Sequence, residues 1–189
     1  RSMFGYEAYL SGNFDNTITD NAENKTFLPA AKNNKERFEE INSGLPLLTT
    51  KVAVRNNKIG ELGLSYMGGV YNKFQDDGLQ LDDKRRVHVF AIDFNSTIAK
   101  TKTFITAEWA WVNVEVPQGY LPQFGSKQSG GFVDIVQPVY RKPLWGFPNS
   151  AFSLACRIER VDFNAGKFVE TGDKIADEVF SIMPAITWR

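Results

Sequence analysis

The chain has one histidine, His88, and one cysteine, Cys156, so a Cys–His nucleophile pair is the first chemistry to consider. Each residue falls on the apolar side of an alternating segment, where neither is placed to activate a reacting water. The acidic pairs Asp76-Asp77 and Asp82-Asp83 offer oxygen ligands to a cation, but both lie in polar stretches that a solvated loop explains more simply. No zinc-ligand spacing, phosphate-binding glycine loop or Ser/His/Asp order is present. The sequence therefore predicts no enzyme, no metal site and no cofactor.

The composition is balanced in charge, with Lys plus Arg and Asp plus Glu each numbering 22 among 189 residues. Because there is no basic excess, nucleic acid is not an expected partner. No run approaches the roughly 20 apolar residues of a transmembrane helix, and one cysteine excludes an intramolecular disulfide. No signal peptide is visible, and the first residue is an arginine. We therefore expect a mature or excised piece whose residues 1–189 form one domain or a contiguous portion of one.

Alternation of apolar and polar residues is the dominant pattern along the chain. In the second half of the segment Phe132–Phe163, alternate residues fall on opposite faces of the predicted strand. One face has Phe152, Leu154, Cys156 and Ile158, and the other has Ser153, Ala155, Arg157 and Glu159. A period of two predicts a β-strand with one apolar and one wet face. This segment supplies two strands around a proline-containing turn. Further strands are predicted at Phe4–Gly12, Leu48–Arg55, Ile59–Tyr71, Arg85–Phe94, Thr101–Val114 and Val179–Trp188, about eight in all.

The connections between these strands alternate in length. The long or medium polar ones are Asn13–Pro46, Asn72–Lys84, Glu115–Gly130 and Asn164–Asp177, with a short helix expected at Asn33–Ile41. The short ones are Asn56-Asn57-Lys58, Asn95–Lys100 and the proline-containing turn. Outer-membrane barrels alternate in this way because their two ends face different compartments. Since strands of about 9–11 residues cross a bilayer and backbone groups in lipid need closed pairing, the fold is predicted as an all-β, antiparallel up-and-down transmembrane β-barrel.

Two sets of residues receive roles from this interpretation. The charged residues predicted to line a water-filled lumen are Lys51, Arg55, Glu61, Glu108, Asp134, Arg157 and Glu159, whose mixed signs predict weak ion selectivity. The aromatic residues predicted to lie at the membrane–water interfaces are Tyr6, Tyr66, Tyr71, Trp109, Trp111, Tyr140 and Trp188. The competing interpretations are the solvated face of a soluble strand for the charges and ordinary core packing for the aromatics.

Motifs in the last third of the chain carry a family resemblance. Gly130-Gly131-Phe132-Val133 leads into a strand and a turn with proline, the next strand has Ala155-Cys156-Arg157 and Val161-Asp162-Phe163-Asn164, and a later strand ends in Ile186-Thr187-Trp188. On these motifs the segments Gly131–Asn164 and Ile182–Arg189 resemble the C-terminal half of outer-membrane porins of the phosphate-selective (porin O/P) type. The resemblance implies a barrel of about 16–18 strands, of which this chain is an interior portion. Selectivity for phosphate in that family depends on a lumen rich in lysine and arginine. Because this chain has zero net charge, the resemblance does not imply phosphate selectivity here.

The expected function is passive diffusion of small solutes or ions through a porin-like channel in the outer membrane of a Gram-negative bacterium. The expected partners are the lipid bilayer, lipopolysaccharide and the permeating solutes, and the resemblance implies a homotrimer. Two alternatives stay open: a soluble secreted β-sandwich that binds glycans through exposed aromatics, and a non-conducting structural outer-membrane barrel. Polar substitutions on the face of Phe152, Leu154 and Ile158 would unfold a sandwich, whereas in a barrel that face meets lipid.

Overall fold

A computed structural model describes residues 2–19, 43–117, 124–142, 150–166, 173–175 and 177–188. Its strands are β1 (Ser2–Ser11), β2 (Leu47–Asn56), β3 (Gly60–Val70), β4 (Gln75–Asp76), β5 (Leu79–Gln80), β6 (Arg86–Thr97), β7 (Phe104–Val114), β8 (Lys127–Arg141), β9 (Ala151–Asp162) and β10 (Glu178–Trp188). One 3-10 turn, Asn16–Ile18, follows β1. Within the described ranges, no helix is both long enough and apolar enough to span a membrane.

Eight strands form one sheet in the order β1-β2-β3-β6-β7-β8-β9-β10, and β4 pairs with β5 in a separate small hairpin. Every neighbouring pair in the large sheet is antiparallel. The predicted all-β, antiparallel up-and-down arrangement is therefore confirmed. The described residues show no pairing between β1 and β10, so over this part of the chain the sheet is open and the predicted closure into a barrel is not observed.

The two ends of the sheet differ in their connections. Residues 57–59, 98–103 and 142–150 join strands at one end, which we call the short-turn end. Residues 12–46, 71–85, 115–126 and 163–177 join strands at the other, the long-connection end. The alternation of long and short connections thus agrees with the sequence-based prediction. The predicted helix Asn33–Ile41 and most of the proline-containing turn lie outside the described residues.

Two predicted boundaries were wrong, and one predicted connection contains a hairpin. The strand expected from Thr101 begins at Phe104, because Lys102 has a positive φ of 59° and belongs to a turn. The loop expected to reach Gly130 ends at 126, since Lys127 and Gln128 already pair with β7 despite the glycine-rich sequence around them. The connection Asn72–Lys84 contains the β4–β5 hairpin, whose turn is formed by Asp77 and Gly78 with φ values of 45° and 83°.

The pairing register places most of the large apolar residues of the eight strands on one side, the apolar face. One continuous row runs Tyr6, Val52, Leu64, Ile92 and Trp109, and another runs Ala107, Val133, Ile158 and Ile182. Because directly opposed residues in antiparallel strands point to the same side, the alternating residues between them form a second side, the polar face. The facing assigned from the sequence to Phe152–Glu159 therefore holds in β9.

Proline occurs within two strands of the sheet, at positions that tolerate the loss of a backbone N–H. Pro138 lies where the β8–β9 register shifts before Tyr140, at a β-bulge. Pro184 lies in β10, which is an edge strand among the described residues. Edge strands and bulges are where proline is found in sheets, which explains why these two residues do not interrupt their strands.

The buried core lies at the long-connection end, on the polar-face side. Residues 12–19, here named the cap, fold over this end so that Phe14 and Ile18 pack with Leu47, Val87 and Val114. Asn13 Nδ2 donates to the carbonyl of Val70 at 2.6 Å and fixes the cap to β3. A Cβ added to Gly69, which points to the polar face, would stand 2.9 Å from Asn13 Nδ2. The cap therefore covers the polar face at this end of the sheet.

Candidate functional site

The polar face contains all seven charged residues that the sequence assigned to a lumen. Directly opposed pairs bring several together: Arg55 opposes Glu61, and Asp134 opposes Arg157. The structure adds three acidic or basic residues to this face, Glu7, Asp93 and Arg141. The acidic residues of the face are then Glu7, Glu61, Asp93, Glu108, Asp134 and Glu159, and the basic ones are Lys51, Arg55, Arg141 and Arg157. Acidic side chains outnumber basic ones here although the whole chain is neutral.

Lys51 and Asp93 form an ion pair that reaches across an intervening strand. Lys51 Nζ lies 3.0 Å from Asp93 Oδ1 and 2.9 Å from Oδ2, although β3 separates β2 from β6. Gly63 on β3 leaves the space for this contact, since a Cβ there would stand 2.3 Å from the Asp93 carboxylate. The contact joins strands that are not neighbours, so only the structure shows it.

Arg157 is the most heavily engaged charge on the polar face. Its Nε donates to Asp134 Oδ1 at 2.7 Å and its Nη2 donates to Oδ2 at 2.6 Å, a bidentate pair. Its guanidinium carbon lies 4.3 Å from the centre of the Phe132 ring, and its Nη1 is 4.0 Å from Glu159 Oε2. The paired carboxylate and the stacked ring hold the guanidinium in one orientation.

Glu108, like Glu7 at the sheet edge, belongs to none of the ion pairs found among the described residues. It opposes Asp93 on one side and Phe132 on the other, and Phe132 in turn opposes Glu159. Three carboxylates and one aromatic ring therefore share a single row across four strands. Asp93 and Glu159 have the cationic neighbours Lys51 and Arg157, whereas Glu108 has none among the described ion pairs.

The six aromatic residues Tyr6, Tyr66, Trp109, Trp111, Tyr140 and Trp188 all lie on the apolar face. Tyr140 and Trp188 lie at the short-turn end, where Trp188 stacks on Phe152 at 5.9 Å and Tyr140 meets the same ring edge-on at 6.2 Å. Tyr6 and Trp109 lie near the middle of their strands instead. Tyr71 follows β3 and is fully buried in the core cluster, so its assignment to an interfacial layer was wrong.

The histidine and the cysteine do not form a pair. His88 lies on β6, where its Nδ1 hydrogen-bonds to Tyr66 Oη at 2.8 Å, and Cys156 lies on β9, with two strands between them. The acidic pairs near the β4–β5 hairpin contact neighbouring cations, with Lys73 Nζ 2.8 Å from Asp76 and Arg85 Nη1 2.7 Å from Asp82. The described residues bring together no group of three or more His, Cys, Asp or Glu side chains suited to a metal ion.

The site is thus a two-sided sheet, apolar on one side and ion-paired on the other. Such a surface can separate an apolar medium from an aqueous one, and its charged side can bias which ions approach it. Comparison of the chain with protein-family models, with curated protein sequences and with solved structures finds no match.

Proposed function

We propose that the eight-stranded sheet is a portion of the wall of a transmembrane β-barrel that acts as a porin-like channel in a Gram-negative outer membrane. The observation that carries the proposal is the apolar face. It extends across all eight strands, and its large apolar side chains, such as Tyr6, Leu64 and Ile186, are 78%, 52% and 74% exposed. Toward the long-connection end the face also carries the exposed ion pair of Arg160 and Glu178. An exposed apolar surface on this scale marks contact with another apolar medium.

Lipid fits this face better than a second protein layer for a reason of chemistry. Large side chains occupy most positions of the face, and its rows among the described residues contain three glycines, Gly60, Gly68 and Gly131. This span matches the outward band of a membrane barrel, in which apolar residues face lipid and polar residues face the lumen. The other face carries hydrogen-bonded ion pairs, which need water or one another to be stable.

The function that follows is passive diffusion of small solutes or ions through water that fills the lumen. The polar face supplies no covalent chemistry to this process. Its contribution is the field of its charges, in which the bidentate Arg157–Asp134 pair and the Lys51–Asp93 pair are locally neutral and Glu108 is not. The polar face has two carboxylates outside the ion pairs of the described residues, Glu7 and Glu108, against one such cation, Arg141, so the channel should pass cations more readily than anions.

The proposal is tested by extraction and conductance. The full-length protein is extracted from membranes with detergent and run on a gel with and without boiling, because a folded barrel migrates as a compact species until it is heated. Reconstitution in a planar bilayer then measures single-channel conductance. We expect a mobility shift on boiling and discrete conductance steps. A soluble protein without a mobility shift would refute the proposal and favour the β-sandwich alternative, whereas a shift without conductance would indicate a structural barrel.

A further inference from the structure

A cavity of about 420 Å³ opens on the polar face beside the core cluster. Its floor is shallow because Ala110 and Gly130, which oppose each other on β7 and β8, have little or no side chain. Larger apolar residues surround this floor, including Phe132, Val112 and Phe163. The volume lies within the range of about 300–1,000 Å³ that is typical of sites for small organic ligands.

The charged lining residues that point into the cavity from the polar face are acidic. These are Glu108 and Glu159, whereas Asp162, also in the lining, opposes Ser129 and Glu178 and so points to the apolar face. No lysine or arginine is among the described lining residues, and the nearby Arg157 guanidinium lies over the Phe132 ring. Glu108 has no ion-pair partner among the described residues, and Glu159 is held only at 4.0 Å from Arg157. An apolar floor with unmatched carboxylates at its rim is complementary to a ligand with an apolar body and a positive charge.

We propose that this cavity binds a small organic cation, an arylalkyl- or alkylammonium ion whose apolar part lies over Ala110 and Gly130. The ammonium group then lies beside Glu108, and the apolar body packs against Phe132. An anionic analogue would bring a further negative charge next to Glu108 and Glu159, and a neutral analogue would leave the Glu108 charge unmatched. Under the proposed function this site faces the lumen, and its ligand class deepens that function by naming a solute that the channel retains. Binding is measured without conduction, so the two proposals fail separately.

The test uses the folded full-length protein in dodecyl maltoside micelles. Isothermal titration compares 2-phenylethylammonium, 2-phenylethanol and 3-phenylpropionate, which share a phenyl group and differ in charge. We expect the ammonium ion to bind about two- to fivefold more tightly than the alcohol, the range typical of an exposed ion pair, and the carboxylate to bind most weakly. Equal affinity for the three probes would overturn the proposal.

Two pairs of variants locate the binding. Ala110→Leu fills the cavity floor and should abolish binding, whereas Ala53→Leu, on the polar face of β2 and outside the cavity lining, should not change it. Glu108→Gln should reduce affinity for the ammonium ion to that for the alcohol, and Glu7→Gln, at the sheet edge, should leave the difference intact. Unchanged binding in Ala110→Leu would refute the site. Because Glu108→Gln alters no packed side chain, it decides the question even where Ala110→Leu fails to fold.

Discussion

A lysine at position 64 distinguishes a lipid-facing surface from a water-facing one. Leu64 lies near the middle of β3 on the apolar face and is 52% exposed. In water, Leu64→Lys removes roughly half the burial of a leucine, and the lysine stem replaces part of it, so we expect a cost below about 1 kcal/mol. In a bilayer, a lysine near the midplane of a barrel's outer surface costs about 2–4 kcal/mol.

The matched control is Ala91→Lys. Ala91 precedes Ile92, the cross-strand partner of Leu64, and therefore lies at the same depth on the opposite face. Its own cross-strand neighbours, Ser65 and Ala110, are uncharged. A lysine there points toward the aqueous side in the proposed arrangement, so we expect a change within about 0.5 kcal/mol, as for other surface substitutions.

The measurement is equilibrium urea unfolding in phospholipid vesicles, followed by tryptophan fluorescence, because Trp109 and Trp111 lie on the apolar face and report its environment. We expect Leu64→Lys to lower the free energy of unfolding by at least 2 kcal/mol more than Ala91→Lys does. Equal costs for the two lysines, or a larger cost for Ala91→Lys, would show that the apolar face does not meet lipid. The same pair measured in detergent should show a smaller difference.

Three further predictions concern contacts within the sheet and its cap. Gly63→Ala should destabilise the protein by roughly 1–3 kcal/mol, because the alanine Cβ would displace the Asp93 carboxylate. In an Asp93→Ala background the same substitution should cost much less, and urea unfolding of both backgrounds measures the difference. A double-mutant cycle on Arg157 and Asp134 should give a coupling of about 0.2–1 kcal/mol that falls from low salt to 1 M NaCl, since both side chains are partly exposed. Burial raises the pKa of Tyr71 above its ordinary value of about 10, so the folded state retains the phenol proton that the unfolded state loses. Stability should therefore fall as pH rises above about 10, and Tyr71→Phe should remove that part of the loss in thermal unfolding measured against pH; an unchanged alkaline slope in the variant would contradict the burial argument.

The strands and their facing were predictable because a strand in a sheet with one apolar and one polar face shows that difference in its own alternation. Alternation in β9 assigned Arg157 and Glu159 to one face from eight consecutive residues, and the register bears this out. What failed depended on contacts far apart in the sequence. The start of β8 at Lys127 lies in a glycine-rich stretch with little strand propensity, where pairing with β7 overrides the local signal.

For the polar face, the sequence predicted which charged residues lie on it but not which of them contact one another. The Lys51–Asp93 pair spans a strand and depends on Gly63, so it requires the sheet register and curvature, neither of which alternation supplies. The sequence did not predict the cap either, because Phe14 and Ile18 follow β1 in a polar segment and pack against apolar residues of β2, β6 and β7. Tyr71 shows the same limit, since aromatic residues at strand ends suit an interfacial layer and a local core alike.

The edge strands β1 and β10 add a requirement to the proposed barrel wall, because their outer backbone groups are unpaired among the described residues. β1 has ten residues, and an edge strand points the N–H and C=O groups of alternate residues away from its partner, so about ten backbone groups are left unpaired. Each unsatisfied group costs several kcal/mol in hydrocarbon, so the sum is tens of kcal/mol and exceeds the whole stability of a typical domain. A sheet whose apolar face meets lipid must therefore pair β1, either with β10 or with a strand outside the described residues. Pro184 lacks an N–H, which makes the ladder along β10 incomplete, whereas β1 contains no proline. Amide hydrogen exchange of the membrane-inserted protein tests this requirement: outward-pointing amides of β1 should be as protected as those of β3, and fast exchange along β1 would mean that the sheet does not lie in lipid.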